Sequence, residues 1–312
     1  MSKLIKILII SIIASLMLAS CSGRTNADIE KLDHNKKTVT VTTSFLEDMV
    51  YQLAGDLVNI RLLIPAGEDP HLYIAKPRDL DKLMDTDLVL YHGLHFEGKL
   101  AFALESIGKA VSSDFTPSEL GVMDDDGDEV VDPHFWFDIK LYKKAVQTAS
   151  LEMIKLLPEH REIIEQNTKI YLMELDRLNI SLKEDMDSIL VERRFLITPH
   201  DAFNYFSRQF NIPVMAPQGI GTDSEVANKD IEETVDFIVR HKIKAVFVES
   251  TSDPARMEKL KEACRHKGHD IIVVSGEGRE LFSDSLGPKG SVGDTYIDMY
   301  KHNVQLIVEN LN

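Results

Sequence analysis

Short apolar runs rich in β-branched residues alternate along the chain with longer segments in which apolar residues recur every three or four positions. This alternation predicts a parallel α/β fold, because parallel strands are joined by helical crossovers. Four predicted strands occur in the first half of the chain and four more in the second half. They are TVTVTTSF, VNIRLLIP, DLVLYHG, KAVSSD, RFLITPHD, IPVMAPQG, KAVFVES and DIIVVSG. We therefore expect two similar lobes, each with a four-stranded parallel sheet.

Helical patterns lie between these strands and also separate the two sets. The helices between strands are LEDMVYQLAGD, KPRDLDKLMD, EGKLAFALESIG, DAFNYFSRQF, NKDIEETVDFIVRHK and DPARMEKLKEACRHKG. The separating segment begins at Pro158, which suits a first helical turn, and its apolar residues form a single stripe. That stripe contains Ile164, Tyr171, Leu175, Leu178, Leu182, Met186 and Ile189. We expect residues 158–190 to form one long rigid helix between an N-terminal lobe, residues 38–157, and a C-terminal lobe, residues 191–312.

The N-terminus has the pattern of a secretory signal. Lys3 and Lys6 lead into an apolar run that ends in LASC, with small residues before Cys21. LASC resembles the lipobox of bacterial lipoproteins, which implies removal of residues 1–20 and a lipid on the Cys21 sulfur. The polar segment 21–37 then forms a flexible tether. This pattern predicts a lipid-anchored protein on the extracytoplasmic face of the cell membrane. An ordinary signal peptide or a short membrane anchor is the alternative.

Charge and cysteine content narrow the classes of function. The net charge is −16, which argues against nucleic acid, because its phosphates would be repelled. An acidic surface is compatible with binding of cations. Cys21 and Cys264 are the two cysteines, so lipidation of the first leaves no disulfide and no thiol pair for a metal site. We expect Cys264 to be a small buried residue of a helix.

The tripeptide Asp-Pro-His occurs twice, at 69–71 and at 132–134. Proline fixes its own φ and keeps the preceding residue out of the helical region, so each histidine leaves a stiff, extended corner. We expect Asp69 and Asp132 mainly to cap these turns. The alternative role is to accept a hydrogen bond from a ligand imidazole. Glu249, at the end of VFVES, is a further candidate for that role.

Four potential metal ligands follow predicted strands or approach the long helix. His71 and His134 end the two Asp-Pro-His corners, His200 follows RFLIT, and Asp284 follows the last strand. Because ligands bind outside the carboxyl ends of parallel strands, these side chains are expected to converge between the lobes. Three imidazoles and a carboxylate make a closed ligand set for a divalent transition ion.

Two further histidines lie close to these in the sequence. His92 and His95, in HGLHFEG, follow another predicted strand. They are weaker candidates for contact with an ion, because the set of four is complete without them.

The motifs that carry this chemistry resemble those of a known family, the TroA-like zinc/manganese substrate-binding proteins of bacterial ABC importers. They are DPHLY, LYHGLHFEGK, DPHFWFD, TPHDAFNYFSRQF, FVES and ELFSDSLG, in that order. The resemblance implies two (β/α) lobes bridged by a long helix, with the ion held between them by side chains alone. It places the ligands on His71, His134, His200 and Asp284. It also implies a non-enzymatic protein, expected to be monomeric, whose partners are a membrane permease and its ATPase.

The identity of the ion is less constrained than the site. Imidazole suits zinc, iron and copper, whereas carboxylate oxygen suits manganese. Glutamate at the third ligand position is typical of the family's streptococcal manganese binders, and His200 departs from it. Zinc-dedicated members often carry a long histidine-rich loop before the second ligand. Here that segment is MDDDGDEVVD, short and without histidine, and we predict a solvated acidic loop. We favour Mn²⁺, with Zn²⁺ as the close alternative.

Two other classes of protein are compatible with such a site. A zinc-dependent hydrolase needs an open coordination position and a nearby base, but the chain has neither HExxH nor Gly-x-Ser-x-Gly. A surface adhesin with a purely structural metal is the second alternative. Turnover of an ester or peptide would identify the first, and unchanged metal accumulation in cells lacking the protein would identify the second.

Overall fold

The structure is a computed structural model. It describes residues 32–125, 128–223 and 225–312. Lys36–Asn312 forms one compact unit. The predicted signal peptide, Cys21 and most of the predicted tether lie outside the described residues. In the described ranges, no helix combines the length and the apolar character that crossing a membrane requires.

Strands and helices alternate through most of the described residues, as the periodicity predicts. The strands are β1 (Lys37–Val41), β2 (Val58–Leu62), β3 (Leu88–Tyr91), β4 (Lys109–Ala110), β5 (Val122–Asp125), β6 (Asp128–Val131), β7 (Leu196–Ile197), β8 (Val214–Met215), β9 (Ala245–Phe247) and β10 (Ile272–Val274). The helices are α1 (Ser44–Ala54), α2 (Pro77–Met84), α3 (Ala101–Ile107), α4 (Ile139–Leu156), α5 (Arg161–Asp187), α6 (Asn204–Phe210), α7 (Asn228–His241), α8 (Ala255–His266) and α9 (Tyr296–Leu311). We call the parts before and after the end of α5 the N-terminal and C-terminal halves.

The N-terminal half contains the four-stranded parallel sheet that the sequence predicts. Its strand order is β2-β1-β3-β4, and every pair is parallel. Val39 and Val41 of the inner strand β1 are fully buried, since a strand covered by helices on both faces needs apolar residues there. The carboxyl end of β2 leads into the first Asp-Pro-His corner.

The C-terminal half has its four predicted strands in two parallel pairs. β7 pairs with β8 and β9 pairs with β10, while β7 lies beside β9. Single parallel bridges from His200 to Gln218 and from Glu249 to Leu281 extend the two pairs toward the predicted site. The α/β class and the four strands of each half are confirmed. The C-terminal strands are shorter than predicted, with β7 ending before His200 and β9 before Glu249.

The long central helix is confirmed. A 3₁₀ turn at Pro158–His160 precedes α5, which ends at Asp187 and is about 40 Å long at 1.5 Å per residue. All seven predicted stripe residues are buried. The stripe packs against α1, α4 and α9.

Two helices, α4 and α9, and the hairpin of β5 and β6 were not predicted. Asp138 caps α4 by accepting from the backbone N–H groups of Lys140 and Leu141, and Thr295 caps α9 by accepting from the N–H of Asp298. The acidic segment predicted as a loop forms the antiparallel hairpin β5–β6. That prediction was wrong because Val122, Val130 and Val131 supply β-branched residues on both arms, which acidic composition alone obscures.

The core consists of more than one apolar cluster. The largest contains the buried faces of α1, α4, α5 and α9. A second joins Ile197, Val235, Val246 and Leu260, and it includes Cys264, which is buried as expected. The helix α9 follows the C-terminal half in the sequence, but it packs on α1 and α5 of the N-terminal half. The division into 38–157, 158–190 and 191–312 stays a prediction.

Candidate metal centre

Four loops that follow strands carry the predicted ligands. His71 lies in the loop after β2, and His134 lies between β6 and a 3₁₀ turn at Phe135–Phe137. His200 follows β7, and Asp284 follows β10. The loops of His71, His200 and Asp284 begin at the carboxyl ends of parallel strands, which is where ligands bind in open α/β sheets, whereas His134 follows a strand of the antiparallel hairpin.

The structure brings these four side chains together. Each offers one ligand atom, the four atoms lie within 4.8 Å of one another, and all four residues are buried. The Nε2 atoms of His71 and His134 are 3.3 Å apart. The carboxylate of Asp284 has Oδ1 at 3.4 Å from His134 Nε2 and Oδ2 at 3.1 Å from His200 Nε2.

Both Asp-Pro-His corners are held by their own aspartates. Asp69 Oδ1 accepts a hydrogen bond from the backbone N–H of His71, and Asp132 Oδ1 accepts one from the N–H of His134, each at 2.9 Å. These are the local turns that an aspartate two residues earlier stabilises. The repeated tripeptide thus fixes the backbone from which each imidazole extends.

The three imidazoles differ in their outer contacts. Asp132 Oδ1 also lies 2.7 Å from Nδ1 of His134. Glu249 Oε2 lies 2.5 Å from Nδ1 of His200, although the angles at this contact are not those of a hydrogen bond. Nδ1 of His71 has no such neighbour among the described residues, and Asp69 Oδ2 instead accepts from Thr222 Oγ1 at 2.5 Å. Asp132 thus contacts both its own turn and the imidazole of His134, whereas Asp69 contacts its own turn and Thr222 but not the imidazole of His71.

Burial and charge change the pKa values of these groups in opposite directions. Burial lowers the pKa of His71 to about 3. Burial would also lower the pKa of His134, but Asp132 and Asp284 outweigh it and raise that pKa to about 9. The pKa of His200 is likewise well above its ordinary value, because Glu249 and Asp284 outweigh burial. Burial opposes ionisation of Asp284, yet His200 and His134 hold its pKa well below the ordinary value.

Several polar atoms at this centre lack a hydrogen bond from the described residues. Both carboxylate oxygens of Asp284 and both ring nitrogens of His200 are in this state. Leaving a buried polar group without a partner costs free energy. A cation among these atoms would supply the missing partner, so the chemistry of the donors fits a divalent metal ion.

Aromatic side chains form an apolar wall around the centre. The ring of Phe96 packs edge-on against His71, with centroids 5.0 Å apart, and also contacts His134. Trp136 packs against His134 at 5.2 Å and donates its indole N–H to the carbonyl of Ser283, next to Asp284. This wall shields the donors from water and fixes their rings.

Other histidines lie outside the group of four. His92 is buried, but its Nε2 is paired with Thr43 Oγ1 at 2.7 Å. His95 has a positive φ of 62° and its neighbour Leu94 one of 58°, so both belong to a tight turn. Neither is part of the ligand cluster found among the described residues.

Three supporting residues were missed at the level of the sequence. Asn204 donates to Asp132 Oδ2 at 3.2 Å, Ser283 donates to Glu249 Oε2 at 2.9 Å, and Thr222 contacts Asp69. All three interactions join residues more than thirty positions apart. Only Ser283, beside a predicted ligand, had a local signal that could have indicated its role.

This arrangement has a counterpart among known proteins. Residues 39–310 match the family described as zinc-uptake complex component A, periplasmic, or ZnuA. The chain belongs to the ZnuA family. The resemblance drawn from the motifs is therefore confirmed. The matched residues include all four predicted ligands.

Individual ZnuA-family relatives match over most of their length. The manganese-binding lipoprotein MntA of Bacillus subtilis is 36% identical over 277 residues, which are 88% of this chain and 89% of MntA. A structure of the periplasmic zinc-binding protein TroA from Treponema pallidum is 35% identical, has a TM-score of 0.84 and covers 88% of this chain and 99% of its own. A TroA structure from a study of metal-binding specificity is 60% identical, has a TM-score of 0.88 and covers 89% and 100%.

Proposed function

We propose that this protein binds one divalent transition metal ion outside the cytoplasm and delivers it to the permease of an ABC importer. The ligands in this proposal are His71, His134, His200 and Asp284. The observation that carries it is the spacing of their donor atoms, at 3.3, 3.4 and 3.1 Å for three of the pairs and within 4.8 Å for the whole set. Four ligands at tetrahedral positions about 2.1 Å from an ion are about 3.4 Å apart, so the donors are already spaced for coordination.

Four protein donors favour binding over catalysis. A catalytic zinc site keeps one position open for water, whereas structural and transport sites are closed by protein side chains. The aromatic wall of Phe96 and Trp136 restricts access of a substrate to the ion. Membership of the ZnuA family, with relatives named as metal-binding proteins, supports the same interpretation. The hydrolase and adhesin alternatives have no comparable support.

For the ion, we propose Mn²⁺ as the physiological cargo, with Zn²⁺ as the close alternative. A relative named as manganese-binding and another named as zinc-binding are nearly equally similar to this chain. The set of three imidazoles and one carboxylate accepts either ion, and Zn²⁺ binds more tightly at a given site by the general order of divalent affinities. Elemental analysis of protein purified without added metal, with Mn²⁺/Zn²⁺ competition, tests the assignment.

Delivery requires a location near the permease. Lipid on Cys21 would keep the protein at the outer face of the cell membrane, and MntA, a lipoprotein by name, supports this proposal. Two or more acyl chains anchor a protein firmly. We propose that the monomer binds the ion, docks on the permease and releases it there. Cells that lack the protein should accumulate less Mn²⁺ or Zn²⁺ from dilute medium, whereas unchanged accumulation of both ions would contradict the proposal.

Metal binding should release about two protons per ion at pH 7, because imidazole must be neutral to coordinate. We expect His134, whose pKa is raised to about 9, and His200, whose pKa is also raised, to be protonated in the metal-free protein at this pH. His71, with a pKa of about 3, is already neutral. Affinity should therefore fall as pH decreases from about 9, well above the ordinary histidine range.

Calorimetric titration with Zn²⁺ in buffers of different ionisation enthalpy measures this proton release directly. A slope of zero protons at pH 7, or an affinity that is constant between pH 9 and pH 7, would show that His134 and His200 are neutral before the ion binds.

Replacing Glu249 with glutamine should weaken metal binding by about 10- to 100-fold, the range for loss of an outer partner of a ligating histidine. The amide keeps the size of the side chain but removes the charge that faces Nδ1 of His200. Competition with a chelator of known affinity gives the dissociation constant. Glu68→Gln, an exposed substitution in the loop before His71, is the matched control and should leave it unchanged.

A further inference from the structure

Two hydrogen bonds join the loop that carries His71 to the C-terminal half. In the first, Thr222 Oγ1 donates to Asp69 Oδ2 at 2.5 Å. In the second, the backbone N–H of Gly67 donates to Ser285 Oγ at 2.7 Å. Both bonds join residues more than 150 positions apart, so neither follows from local turn geometry.

Each of these bonds ends on an element that carries another predicted ligand. Ser285 directly follows Asp284 in the chain. Thr222 is linked to His200 through Gln218. Gln218 pairs with His200 in a parallel bridge, and its side-chain amide donates to the carbonyl of Thr222 at 3.0 Å. Separation of the His71 loop from His200 would therefore break the Thr222–Asp69 bond.

Asp69 connects this bond to the ligand itself. Its other oxygen, Oδ1, holds the backbone N–H of His71 at 2.9 Å. The carboxylate thus links Thr222 of the C-terminal half to the backbone of a predicted ligand in the N-terminal half. His71 depends on this link more than the other two imidazoles, since its Nδ1 has no carboxylate neighbour among the described residues, unlike His134 and His200.

We propose that Thr222 is a positioning residue that controls how fast the metal ion leaves. Its hydroxyl holds the Asp69 turn, and with it His71, against the C-terminal half, and breaking this hydrogen bond is part of opening the site. This inference rests on the proposed function, because it assigns a step in the release of the ion that His71 helps to bind. Thr222 is neither one of the four proposed ligands nor one of the two carboxylates, Asp132 and Glu249, that face them.

The test uses the full mature protein as wild type and as Thr222→Val, Thr222→Ser and Thr86→Val variants. Valine keeps the shape of threonine without the hydroxyl, and serine keeps the hydroxyl. Thr86 is the matched control, because its hydroxyl bonds to the carbonyls of Thr38 and Leu88, within the N-terminal half. Each protein is loaded with Zn²⁺ and mixed in a stopped-flow instrument with excess chromophoric chelator, and the thermal midpoint of the metal-free form is recorded.

Thr222→Val should release Zn²⁺ about tenfold faster than wild type, the order expected for a lost hydrogen bond to a carboxylate, with little change in its thermal midpoint. Thr222→Ser should restore the release rate to within about twofold of wild type, and Thr86→Val should not change it.

A wild-type release rate in Thr222→Val overturns the role of Thr222 and leaves the proposed function intact. Equal acceleration in Thr222→Val and Thr86→Val also overturns it, since the effect would then be general loosening. A wild-type protein that binds no Zn²⁺ overturns the proposed function and this inference together.

Discussion

Replacing Asp284 with asparagine should lower the affinity for Zn²⁺ or Mn²⁺ by at least about a hundredfold, because removing one partner of a buried charge pair costs roughly 3–5 kcal/mol. Asp284 supplies the only carboxylate among the four proposed ligands. Its oxygens lie 3.4 Å from His134 and 3.1 Å from His200. The amide is nearly the same size, so the loss would report on charge and coordination rather than on packing.

Chelator competition at pH 7.5 measures the loss, with Asp48→Asn as the matched control. Asp48 is also a buried acid, but it accepts a hydrogen bond from the backbone N–H of Tyr296 in the core and is not one of the four donors. The control should retain wild-type affinity even if its thermal stability falls. Near-wild-type affinity in Asp284→Asn would remove this carboxylate from the ligand set.

Replacing His200 with alanine should have an effect of similar size. The substitution removes one of the four proposed ligands, and with it the imidazole that faces the carboxyl group of Glu249. We expect the affinity to fall by about a hundredfold or more and fewer protons to be released per ion.

Equilibrium dialysis followed by elemental analysis measures residual binding in this variant. His95→Asn is the control, because His95 belongs to the loop that packs near His71 but is not in the ligand cluster, and asparagine tolerates its positive φ. Equal losses in His200→Ala and His95→Asn would mean that the effect is not coordination. Full occupancy of His200→Ala by one ion would exclude His200 as a ligand.

The sequence was sufficient for the features that depend on local chemistry. Periodicity located the strands of both halves and the buried stripe of α5, because these patterns follow from which face of an element is covered. The Asp-Pro-His corners were predictable for the same reason, since the turn at His71 is made by a residue two positions away. The ends of parallel strands then indicated where His200 and Asp284 should meet.

Contacts between segments that are distant in the chain could not be predicted from local sequence patterns. Both Asp69 and Asp132 precede a histidine by two residues, yet only Asp132 reaches the imidazole, because Asp69 turns its second oxygen toward Thr222. The hairpin β5–β6 was hidden by its acidic composition. The helix α9 packs against α1 and α5 rather than within the half that precedes it, and hydrophobic periodicity contains no information about such a partner.

The most direct test of the central claim is a crystal structure of the metal-loaded protein with diffraction recorded on both sides of the absorption edge of the bound metal. The proposal predicts one anomalous peak per chain, about 2.0–2.2 Å from Nε2 of His71, His134 and His200 and from a carboxylate oxygen of Asp284. A peak at any other position, or one coordinated by fewer than three of these side chains, would contradict the account.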